Sequence, residues 1–135
     1  MILLLVHAGA TLCLVGLIWT IQLVHYPLMS DIGGESFTRY QERHMRSISY
    51  LVGPLMAVEG ITSVALVVVD PSGLAAAGLV LLIAIWLSTA LLQVPCHKRL
   101  TEGFDPGTHA RLVLSNWIRT LLWTCRGALA LTLLV

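Results

Sequence analysis

Charge is what this sequence has least of. Charged residues are 11% of its 135 positions and hydrophobic ones 57%, whereas a soluble globular domain carries about 25% charged residues. That leaves too little polar surface to coat a water-facing domain of any fold. Neither sign is in excess: eight Lys and Arg against seven Asp and Glu give a net charge of +1. No basic field is available to hold phosphates along a duplex or strand, which excludes a nucleic-acid partner. Cysteine is also sparse. Cys13, Cys96 and Cys125 are an odd number without a C-x-x-C spacing, so neither a disulfide framework nor a zinc ribbon is encoded.

Apolar length is what the chain has instead. A membrane helix needs about 20 mainly apolar residues, and four segments supply them, at about 2–24, 48–69, 74–94 and 109–133. The breaks between them hold Tyr26-Pro27 with Gly33-Gly34, then Asp70-Pro71-Ser72-Gly73, then Pro95 followed by Gly103-Phe104-Asp105-Pro106-Gly107. These are turn residues: Pro removes a backbone donor and Gly permits positive φ. The fold expected is therefore all-α, a single transmembrane domain over 1–135 built as a four-helix bundle with both termini on one side. The first segment lacks the basic flank of a signal peptide and is read as a retained helix. Residues 35–47 are read as a short helix, an interfacial extension of the second span, with Phe37 and Tyr40 facing one way.

Six of the basic residues, Arg39, Arg43, Arg46, Lys98, Arg99 and Arg111, lie in or beside the two longer loops, and the short turn at Asp70–Gly73 has none. The positive-inside rule makes the long loops cytoplasmic. In a bacterium that places the chain in the inner membrane.

Polar groups inside hydrocarbon are costly, so each is a site hypothesis. In the fourth span His109, Leu112, Asn116, Arg119, Trp123 and Arg126 follow a 3-4-3-4-3 spacing that puts them on one stripe facing the bundle interior. The one membrane-embedded acid is Glu59. Counted at about 1.5 Å per residue from the loop side, Glu59 and Arg119 share a depth of roughly 15 Å, which predicts that they pair, with His7 level with Arg126. The pair either fixes helix register or serves an anionic or carbonyl-bearing ligand. Glu59, Asn116 and Arg119 are accordingly the candidate catalytic residues.

Histidines are the second signal. His25, His44, His97 and His109 fall at the loop ends of the four spans, a placement that a bundle can converge on one transition metal or haem. His25, His44 and His97 are the candidate ligands. Gln22 and Gln93, a turn from His25 and His97, either orient those imidazoles or bond between helices. With Arg126 they complete the candidate cofactor-binding set.

The runs WTIQLVHYPLMSDIG, FTRYQERHMRSISYLVGPLMAVE, LLQVPCHKRLTEGFD and NWIRTLLWTCRGAL resemble a family of small bacterial four-helix membrane proteins without an assigned activity. The likeness covers nearly the whole chain and implies an architecture and a set of positions. In layout the chain is more distantly similar to anthrone-oxygenase-like membrane proteins, which implies a hydrophobic polycyclic aromatic substrate. Two functions from different classes follow. One is a small membrane-embedded, oxidoreductase-like enzyme acting on a lipophilic substrate with a His-bound metal or haem. The other is a non-enzymatic subunit, or a ligand- or haem-binding module of a larger complex. Besides the lipid bilayer, a lipophilic small molecule and a second copy of the chain are the partners expected.

Overall fold

A computed structural model describes all residues, 1–135. Four helical rods account for it: α1 (Ile2–Asp31), α2 (Gly34–Val69), α3 (Gly73–Leu100) and α4 (Pro106–Thr132). No strand is present. The first three rods are long and apolar enough to cross a membrane. In α4 the inward stripe lowers the average apolarity, while Leu114 and Leu121 face outward. The chain is an integral membrane protein by its surface as well. Fifteen of its 34 buried residues are polar or charged, and side chains such as Ile61, Val68 and Leu91 lie on the outside. That inversion of a soluble core suits a bundle solvated by hydrocarbon, where backbone groups must be satisfied inside each helix.

Cross-bundle bonds fix the up-down topology. At one end His7 of α1 bonds Thr62 of α2 at 2.9 Å, and Arg126 of α4 reaches the Gly78 carbonyl of α3. At the other end Tyr26 meets His97 at 2.8 Å, and His109 Nε2 donates to the Tyr26 carbonyl at 2.7 Å. The first is the terminal end, the second the loop end. Both termini lie on one side, as the sequence implies.

The segment 35–47 continues the second span, as the sequence implies, but packs into the bundle. It is the first third of α2, which runs unbroken for 36 residues, about 54 Å at 1.5 Å per residue, well beyond the roughly 30 Å of bilayer hydrocarbon. Its extension belongs to the bundle because the buried or half-buried stripe starts at Phe37 and continues without a gap. Phe37, Gln41, His44, Ile48, Val52, Leu55, Glu59, Thr62 and Leu66 follow 4-3-4-4-3-4-3-4. Phe37 packs on Phe104 at 5.0 Å and joins Tyr26, Met29, Leu100 and Leu112 in the core of the loop end. Helix α4 starts on Asp105, whose carboxylate accepts from the Thr108 N–H at 3.1 Å and from its hydroxyl. Those bonds hold the carboxyl below the usual carboxylate range, so the cap is intact at neutral pH and is lost as pH falls through that lowered value.

Two helices are interrupted in the same way. Residues Ile21–His25 of α1 and Thr89–Gln93 of α3 form single π-helical turns, each ending one residue before an X-Pro step, Tyr26-Pro27 and Val94-Pro95. Proline lacks the N–H that would bond the preceding turn and crowds its carbonyl, and the widened turn relieves both. Sequence spacing from Gln to Pro differs between the halves; the π-turn-to-Pro spacing does not.

Candidate functional site

The intramembrane polar groups divide into two layers. Nearer the terminal end, Arg126 Nε donates to Glu59 Oε1 at 2.9 Å and Nη2 to Ser63 Oγ at 2.9 Å, while Nη1 reaches the Gly78 carbonyl. Trp123 Nε1 donates to Glu59 Oε2 at 3.2 Å. Both charges are buried and every nitrogen of the guanidinium is bonded, so this layer is a closed ion pair tying α2, α3 and α4 together. The depth count from the sequence gives Glu59 to Arg119. The structure gives it to Arg126, two turns further along α4. The count fails because it is taken from Ile48, where apolarity begins, although the buried stripe of α2 starts far earlier. His7 does come level with Arg126: the two line one small void with Ser63.

Arg119 is left without an acid. It is 7% exposed, its Nε is buried with no hydrogen-bond partner, and no carboxylate lies within 4.0 Å of it. Its guanidinium carbon sits 5.2 Å from the Trp123 ring centre, a cation–π contact that offsets part of the desolvation. Arg119 lines a cavity of about 220 Å³, to which all four helices contribute, together with Tyr26, His44, Gln93 and His97. Apolar Ile48, Val52 and Val94 are also in the lining, and Val94 is exposed on the outside of the bundle.

The Tyr26 hydroxyl is placed by a short chain. Gln41 Nε2 approaches both His97 Nδ1, at 2.9 Å, and the His97 carbonyl, at 3.4 Å. The His97 carbonyl can only accept, which places the Gln41 NH2 beside it and makes Nδ1 the second acceptor. A neutral His97 then carries its proton on Nε2 and donates it to Tyr26 Oη at 2.8 Å. The Tyr26 O–H proton remains free for a ligand in the cavity.

The three candidate metal ligands do come together. The ring centres of His25 and His44 are 4.3 Å apart and those of His44 and His97 5.7 Å. Their lone pairs do not converge. His25 and His44 lie stacked, and both His97 nitrogens are engaged by Gln41 and Tyr26. No group of three or more His, Cys, Asp or Glu side chains is arranged to hold a metal ion. His109 is spent on the Tyr26 carbonyl.

Gln22 and Gln93 bond between helices. Asn116 Nδ2 donates to Gln22 Oε1 at 2.9 Å, and Gln22 Nε2 to the Val113 carbonyl at 3.2 Å, joining α1 to α4. Gln93 Nε2 donates to Ser115 Oγ at 3.1 Å, joining α3 to α4. Asn116 thus supports the bundle one turn from Arg119, with its Oδ1 buried and unpaired. Tyr26 and Gln41 are the residues that sequence reasoning missed. Gln41 was legible in the stripe from Phe37 to Ile48; for Tyr26 no spacing singles out the hydroxyl.

Comparison with protein-family models, curated proteins and solved structures finds no match to this chain.

Proposed function

We propose that the loop-end cavity binds a lipophilic molecule through an oxygen that carries or develops negative charge, and that the protein is a small membrane-embedded enzyme working on that group. The observation that carries the reading is Arg119: a buried cation in hydrocarbon, facing a cavity, with no counter-charge from the protein. A charge left in that state costs several kcal/mol, which a ligand anion offsets. Arg119 and the free Tyr26 O–H form a two-donor seat for an oxyanion, the arrangement that stabilises an enolate or phenolate in a dry site. The cavity is smaller than the roughly 300–1,000 Å³ of most small-molecule sites. It suits the oxygen-bearing head of a lipophile whose remainder lies in the bilayer.

The oxidoreductive part of the sequence reading rests on a metal or haem, and His25, His44 and His97 would have to turn to ligate one. The proposal therefore stands on acid–base and electrostatic chemistry. A ligand-binding module of a larger complex is the second reading. It is favoured by one fact: the intramembrane carboxylate Glu59 is held by Arg126 and Trp123 and is not available as a base. We place the loop end, with its six basic residues, in the cytoplasm of a bacterial cell.

The test uses 2-naphthol, whose ionised form absorbs at longer wavelength. Titrated with protein in lipid nanodiscs, it should ionise about one pH unit lower or more than in nanodiscs alone, equivalent to about 1.4 kcal/mol of oxyanion stabilisation. Arg119→Met should abolish the shift. Identical titrations for the two proteins would refute the reading.

A further inference from the structure

A second cavity opens at the loop end on the far side of His44. It holds about 590 Å³ between the end of α1 and the first turns of α2, and eight residues line it. From α2 come Ser36, Arg39, Tyr40, Arg43, His44 and Ser47, and from α1 His25. Four of them, Ser36, Arg39, Arg43 and Ser47, are spaced 3-4-4 and so share one helical stripe.

The lining contains donors and no acid. Neither arginine has a carboxylate within 4.0 Å: the ion pairs of the chain are Arg99–Asp105 and Arg126–Glu59. Glu35 and Glu42, on the same helix, are outside the lining. Two guanidiniums one turn apart, flanked by the hydroxyls of Ser36, Tyr40 and Ser47 and by two imidazoles, are suited to a tetrahedral oxyanion that accepts from several directions. Arginine binds phosphate with paired, charge-assisted hydrogen bonds. The level within the molecule points the same way. Val24 and Leu28 flank His25 on α1 and are exposed, as are Tyr50 and Leu51 just past Ser47 on α2. Apolar, lipid-facing surface therefore reaches the edge of the cavity where the basic cluster begins, which is the level of the headgroups.

We propose that this cavity is a phosphate-binding site, filled by a phospholipid headgroup or by a soluble phosphate. It does not depend on the Arg119 cavity, since no residue of that oxyanion seat takes part. Arg39 and Arg43 are exposed, so replacing them leaves the core intact.

The experiment measures thermal unfolding of the full-length protein in uncharged detergent at constant ionic strength. The additives are short-chain phosphatidic acid, short-chain phosphatidylcholine and inorganic phosphate. Wild type and Arg46→Gln, a basic residue of α2 outside the lining, should be stabilised by phosphatidic acid or by phosphate. Arg39→Gln with Arg43→Gln should bind at least about tenfold more weakly, the loss expected for charge-assisted hydrogen bonds. Stabilisation by phosphatidic acid with none from phosphate assigns the site to lipid; the reverse assigns it to a soluble phosphate; either supports the proposal. It is overturned if no phosphate compound stabilises the wild type, or if the double variant responds as Arg46→Gln does.

Discussion

Tyr26 shows how a single hydroxyl can be both structural and available. It accepts from His97 and keeps its own proton free, so its loss is felt twice. Tyr26→Phe strands the buried His97 Nε2–H and should destabilise the detergent-solubilised protein by about 1–3 kcal/mol, the cost of an unsatisfied buried donor. It should also weaken naphtholate binding while leaving part of the Arg119 effect. Denaturant unfolding and the absorbance titration check the two losses separately. At this scale much of the site was legible in the sequence. A polar residue in an apolar run announces itself, and Glu59, Asn116, Arg119, Arg126, Gln22, Gln93 and His97 are all among the most buried residues in the bundle. What the sequence did not reveal is which of them meet. Pairing depends on helix register, and a register error of a few residues moved Glu59 from Arg119 to Arg126.

Helices end where their stripes end, not where apolarity does. That explains both the correct count of four and the register error in α2, whose first turns are polar on the outside yet bury Phe37 and Gln41. The π-turns have a testable counterpart. An i→i+5 turn holds one residue more than an α-turn, so deleting exposed Leu91 from Thr89–Gln93 allows α3 to close as a regular helix with both flanks in place. Deleting exposed Ile83 from the regular part of α3 rotates everything beyond it by about 100°. The Leu91 deletion should keep near-native helicity and a cooperative melt by circular dichroism, and the Ile83 deletion should not. Equal damage from both would show that the π-turn does not absorb the extra residue.

Across the whole molecule the terminal end is closed and the loop end is open. His7, Thr62, Glu59, Ser63, Trp123 and Arg126 satisfy one another, whereas Arg119 faces a cavity and Arg39 and Arg43 face another. If the open end is cytoplasmic, cysteines placed at Ser36 and at Thr101 should both be protected from an impermeant thiol reagent in intact cells and labelled in permeabilised ones. Labelling of either from outside would invert the orientation. The proposed function needs one division of labour: Glu59 belongs to Arg126, and Arg119 is kept for a ligand. A pair of double-mutant cycles measured by unfolding in detergent tests it most directly. Glu59→Gln leaves Arg126 buried and unpaired, a loss of about 3–5 kcal/mol in soluble proteins. Much of that loss should be recovered when Arg126→Met is added. Arg119→Met should add to Glu59→Gln without coupling. Coupling of Glu59 to Arg119 in place of Arg126 would contradict the account, because Arg119 would then have its counter-charge within the protein.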